Sequence, residues 1–163
     1  MKPRSPQLTL RLDSAPPDPA ARWRDGARLA FLGGHITLQL DTDRKAAVLD
    51  AGVLHLPLPP AATPRQIQDG VEAWLRREAA RLIGASVARH AQRLGLDGQH
   101  APRWALSFSA RGGWAHSHAD GSLRFNWRLI EQPTALIDQT VSRALAALPS
   151  GSATADLWEM QAA

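Results

Sequence analysis

The side chains best suited to chemistry are the histidines. His116-Ser117-His118 places two imidazoles at i and i+2, with His100 and Asp120 close by in sequence. In an extended segment i and i+2 share a face, so the pair could hold a divalent cation through ring nitrogens. Two ligands without a fixed third bind weakly, and the same residues suit an exposed polar turn. His35 and His55 sit in short apolar runs and His90 near a helix end; outward-facing positions account for all three. The chain has no cysteine, which excludes disulfides and Cys-ligated zinc. It has neither a glycine-rich phosphate loop nor a nucleophile elbow.

The histidine pair opens the stretch that organises the chain, Trp114 to Trp158. After the polar turn Trp114–His118 comes a strand-like run from Ser122 to Ile130. Pro133 breaks it, and an amphipathic helix follows from Ala135 to Leu148. Leu136, Ile137, Val141, Leu145 and Leu148 recur at helical spacing and are expected to pack inward. A polar turn and Leu157-Trp158 close the stretch.

This pattern resembles the YgjP-like metal-dependent hydrolases, small zincin-type metallopeptidase relatives also called minigluzincins. That family has Trp-Gly-Ser-Cys-Ser, a Gly-x-Ile-Arg-x-Asn strand, a His-Glu-Leu-Ala-His-Leu helix, then Asn-His and Phe-Trp. Trp114, Gly121, Arg124, Phe125, Asn126, Trp127, Leu129 and Ile130 fall on it without a gap, and Ser117 takes the cysteine position. The likeness runs over roughly residues 30–160 and is most specific between the two tryptophans. It implies an α+β, zincin-like fold with a twisted, mainly antiparallel sheet packed on a long helix and the former metal-site helix. It also implies that a strand beside that helix holds substrate backbone by strand addition, with Trp114, Arg124 and Asn126 at the binding cleft. The structural alternative is that Asn126 ties a loop and Arg124 faces solvent.

The resemblance fails where the metal chemistry resides. A His-Glu-x-x-His helix works because i and i+4 share a face, so both imidazoles reach one zinc and the glutamate meets the metal-bound water. Here the same positions read Arg143-Ala144-Leu145-Ala146-Ala147-Leu148, and the downstream ligand histidine falls on Ala153. The ligand histidines are thus replaced by Arg143 and Ala147, and the catalytic glutamate by Ala144. A methyl group has no lone pair, and a guanidinium stays protonated and repels cations. No cofactor is expected, although the family uses zinc. The helix itself should form well, since alanine is the best helix former.

The remaining elements are those that must position this stretch. Residues 1–26 read as an N-terminal extension, with an edge-strand candidate at Leu8–Leu12 and a proline-rich loop from Ser14 to Ala20. Residues 27–163 read as the family-type domain. Arg28–Phe31 and Ile36–Leu40 flank Gly33-Gly34, and Ala46–Leu49 and Val53–Leu56 flank Ala51-Gly52; both read as hairpins. Thr63-Pro64-Arg65-Gln66 carries a capping box with proline at the first helical position. Ile67, Val71, Trp74, Leu75, Leu82, Ile83 and Val87 then make one face of a helix reaching about Leu94, stopped by Gly95. The arginines around Trp74 read as its solvated face. Trp104–Ser109 alternates as a strand.

With 163 residues the chain suits one domain with a real core. Lys and Arg total 19 against 15 acidic residues, a net charge of +4. The arginines are spread along the chain, so a dedicated nucleic-acid surface is not indicated, and weak phosphate binding is the most the excess predicts. No apolar run could span a membrane and the N-terminus has no signal-peptide core, so a cytoplasmic location is expected. Three functions follow as expectations. The first is a non-catalytic family member whose cleft holds an extended peptide or small ligand. The second is an active hydrolase, on peptide or nucleotide substrates, with a metal site relocated to His116 and His118. The third is a weak phosphate- or nucleic-acid-binding module.

Overall fold

The computed structural model describes residues 18–149 except Asp97 and Ala110. The strand candidate at Leu8–Leu12, most of the proline-rich loop, Ala153 and Leu157-Trp158 lie outside the described residues. A short helix α1 (Pro19–Arg22) leads to β1 (Arg28–Phe31), β2 (Gly34–Leu40), β3 (Val48–Asp50) and β4 (Val53–Leu56). The long helix α2 (Pro64–Arg93) follows, then β5 (Trp104–Ser107), β6 (Ala115–Ser117), β7 (Leu123–Asn126) and α3 (Thr134–Ala146), with short 3-10 turns at Gly98–His100 and Trp127–Glu131.

The fold is α+β, as expected, but the sheet is divided in two. One has the order β1-β2-β4-β3 and the other β5-β7-β6. The pairs β1/β2, β3/β4 and β6/β7 are antiparallel, while β2/β4 and β5/β7 are parallel. Both expected hairpins form around two-residue turns. The first turns at Leu32-Gly33 rather than Gly33-Gly34, because Phe31 pairs with Gly34. Leu32 and Gly33 carry φ of 48° and 79°, and Ala51 and Gly52 carry 46° and 80°. Positive φ at both central residues is the turn geometry that follows the strand twist. Gly33 meets a second demand: an added Cβ would lie 2.8 Å from Pro133 Cγ. Its N–H donates to the Glu131 carbonyl and that of Leu32 to Ile130, so the hairpin tip is tied to the entry of α3.

Helix α2 joins the two sheets. Thr63 caps it as the sequence requires: its Oγ1 accepts from the Gln66 N–H, and Gln66 Oε1 accepts from the Thr63 N–H at 2.9 Å. At the other end Gly95 turns left-handed and the Leu96 N–H returns to the Ala91 carbonyl, closing a Schellman motif. The buried face runs through Ile67, Val71, Trp74, Leu75, Ala79, Ile83 and Val87, with Leu82 at its margin. Trp74 meets Phe31 of the first sheet at 5.3 Å between ring centroids, and Gly84 lets Trp104 of the second approach the helix backbone. Ile137, Val141 and Leu145 of α3 complete the core; Leu136 and Leu148 are only half-buried. Trp23, from the segment set apart as an extension, is also buried in that core.

The structure departs from the sequence pattern in two places. The strand expected to reach Ile130 ends at Asn126, because Asn126 Oδ1 accepts from the Arg128 N–H and turns Trp127–Glu131 into a 3-10 turn. Consecutive buried residues Leu129 and Ile130 already break the alternation a strand requires. Arg76 is not on a solvated face. It is half-buried, 2.7 Å from Glu72 and stacked between the rings of Trp127 and Phe108 at 5.2 and 5.3 Å. The aromatic faces supply the attraction that water would otherwise provide.

Candidate functional site

A cleft of about 330 Å³ lies between α3 and β6. One wall is a single stripe of α3, Thr140, Arg143, Ala144 and Ala147, at i, i+3, i+4 and i+7. The other is the segment Trp114–Ser117. Arg143, Ala144 and Ala147, the positions the resemblance sets on a metal helix, therefore face one open groove, with Trp114 and His116 across it. Trp114–His118, expected as a polar turn, contains the strand β6 in its middle.

β6 is the edge of its sheet among the described residues. The Trp114 carbonyl accepts from the Asn126 N–H, and the His118 N–H donates to the Ser122 carbonyl. An antiparallel ladder alternates hydrogen-bonded and non-bonded pairs. Residues 114, 116 and 118 thus direct their backbone groups to β7. Ala115 and Ser117, in register with Phe125 and Leu123, direct theirs to the open edge. Those N–H and C=O groups are what an added strand would pair with.

The other expected site residues separate. Asn126 is buried, and its two polar side-chain atoms are already used: Nδ2 donates to the Ser109 carbonyl at 3.3 Å and Oδ1 accepts from Arg128. It ties a loop. Arg124 is exposed and stands directly opposite His116 in the sheet register, outside the cleft lining. Thr140 was not marked by the sequence; only its place one turn before Arg143 on the stripe could have shown it.

His116 and His118 share the exposed face of β6, but they gain no third donor. His116 lies over Gly112, where an added Cβ would meet its Nε2 at 2.8 Å. Asp120 is engaged elsewhere. The Ser122 hydroxyl and backbone N–H hold its carboxyl below the usual range, aided by Arg103 and His118. Among the described residues no three His, Cys, Asp or Glu side chains are grouped to hold an ion. His55, expected to face outward, is half-buried with Nδ1 3.4 Å from Asp41. His90 is likewise half-buried, 3.9 Å from Asp138.

A zinc ion in this groove would have to be held by its lining. Its described lining offers one imidazole, two hydroxyls, one guanidinium and alanine methyl groups. A hydrolytic zinc needs three protein donors and an adjacent base, and this donor set does not fit one.

A model of the YgjP-like metallopeptidase domain matches residues 7–141. The chain belongs to the YgjP-like family. The match ends at Val141, two residues before Arg143, so of the cleft lining Trp114–Ser117 and Thr140 lie inside the matched range and Arg143, Ala144 and Ala147 outside it. No curated protein and no solved structure matches the chain. No described helix of this YgjP-like domain is long and apolar enough to cross a membrane.

Proposed function

We propose that this chain is a non-catalytic YgjP-like protein whose cleft holds an extended peptide, added as a strand to β6. The observation that carries the reading is the pairing of two features on one groove. One wall offers the backbone of Ala115 and Ser117, unpaired among the described residues; the other carries Arg143, Ala144 and Ala147 where hydrolysis would need two imidazoles and a carboxylate. Without those donors nothing on this wall lowers the pKa of a bound water, so the groove retains binding and loses bond cleavage. Trp114 supplies an apolar surface at the mouth and is over a third exposed.

Ser117→Pro tests the strand-addition half. Its N–H serves the open edge rather than the β7 ladder, so proline removes one edge donor while sparing the sheet. Peptides selected on the wild type should bind the folded variant about tenfold more weakly or not at all. Metal analysis and a peptide-cleavage assay test the other half: tight stoichiometric zinc together with zinc-dependent hydrolysis would falsify it.

A further inference from the structure

Arg143 stands in the groove as a cation without a matching acid. It shares the lining with His116, Ser117 and Thr140, and no aspartate or glutamate among the described residues lines the groove. Some arginines elsewhere are paired, Arg76 with Glu72 and Arg128 with Glu131, while among the described residues Arg124, like Arg143, has no such partner; what sets Arg143 apart is its place in the groove lining. Arg143 has no carboxylate within ion-pairing distance among the described residues. A guanidinium presents five donors in a planar fork that fits a carboxylate through two parallel hydrogen bonds. The two hydroxyls can donate to the same anion, and Arg124 opposite His116 adds positive potential on the strand side.

We infer that the peptide bound in this groove carries a carboxylate, from an acidic side chain or a free C-terminus, that pairs with Arg143. The inference rests on the strand-addition reading and names what that reading leaves open. The positive charge at this helix position fixes the ligand instead of an ion. A peptide is favoured over a nucleic acid on two grounds. The β6 edge offers alternating N–H and C=O groups that only another polypeptide backbone can match, and the alanine and tryptophan surfaces leave a single guanidinium instead of a phosphate-tracking row.

The test starts from short random peptides displayed on phage and panned against the full chain. Enriched peptides are resynthesised with each Glu or Asp replaced by its amide, and with a free or amidated C-terminus. Neutralising one carboxylate should weaken binding about tenfold, as loss of a charge-assisted pair does, and Arg143→Gln should erase that difference. Whether the amide side chain or the amidated terminus produces the loss identifies the source. Enriched peptides that bind equally well when neutralised overturn the inference and leave strand addition standing, as Ser117→Pro would still show. An acid preference that persists in Arg143→Gln also overturns it. Displacement of the peptides by oligothymidylate, falling steeply with salt, overturns it in favour of phosphate. Failure to enrich any peptide removes the strand-addition reading itself.

Discussion

The Ser86 hydroxyl on α2 donates to the Asp138 carboxylate on α3, fifty-two residues apart in sequence. Ser86 is buried, while Asp138 reaches out to Arg89 at 2.8 Å. The pair clips α3, one wall of the cleft, onto α2. The Ser86 hydrogen bond, more than the nearby Arg89, holds the Asp138 carboxyl below its ordinary range. The folded protein therefore binds this proton less readily than the unfolded chain. Stability from the pair is complete above the unfolded pKa of about 3.9 and drains away as pH falls through the lower folded value. Asp138→Asn should flatten that acid limb in urea titrations repeated across pH. Asp138 is half-exposed, so the loss at neutral pH is modest, about 1 kcal/mol.

Two glycines with nearly equal backbones should respond differently to alanine. Gly33 and Gly52 have φ of 79° and 80°, but only Gly33 is pressed against Pro133; a Cβ at Gly52 meets nothing within 4 Å. Gly52→Ala should cost about 1–2 kcal/mol from the left-handed backbone alone. Gly33→Ala should cost clearly more, because Pro133 leads into α3 and cannot shift freely. Equal midpoints in chemical denaturation would show that the hairpin tip yields without disturbing α3.

These turns also show what a sequence can disclose. The Thr63–Gln66 capping box, the Gly95 stop and the Ala51-Gly52 turn are local arrangements, and each is written in adjacent residues. The parallel pairs β2/β4 and β5/β7 join strands whose contact leaves no local trace, so the division into two sheets was hidden. Arg76 looked like one more helix-surface cation because its partners Phe108 and Trp127 lie far along the chain. In the site, Trp114, Arg143, Ala144 and Ala147 came from the family pattern and do line one groove. The open edge of β6 was beyond reach, since which backbone groups face outward depends on register.

Asn126 separates structural from functional importance. Both of its polar side-chain atoms are committed to backbone partners, and it is 7% exposed. Asn126→Ala would strand the Ser109 carbonyl and remove the cap on the 3-10 turn, costing about 1–3 kcal/mol. Peptide affinity of the fraction that remains folded should be unchanged, because the side chain is outside the cleft lining. Thermal unfolding together with binding by fluorescence polarisation distinguishes this from a direct ligand contact, which would lower affinity in the folded protein.

Two histidines on α3 would supply donors that the groove does not offer. Arg143 and Ala147 lie one turn apart on the stripe facing His116, so Arg143→His with Ala147→His would aim two imidazoles into a groove that already holds a third. Zinc should then bind the double variant and raise its melting temperature, because a ligand bound only by the folded state stabilises it, by about 2.7 kcal/mol at a hundredfold excess over Kd. The wild type should show no comparable shift at the same zinc concentration. Adding His116→Ala should remove much of the gain, which a two-ligand site on the helix alone would not suffer. If the wild type is itself stabilised stoichiometrically, donors outside this groove hold the ion and the proposal of a non-catalytic protein loses its support.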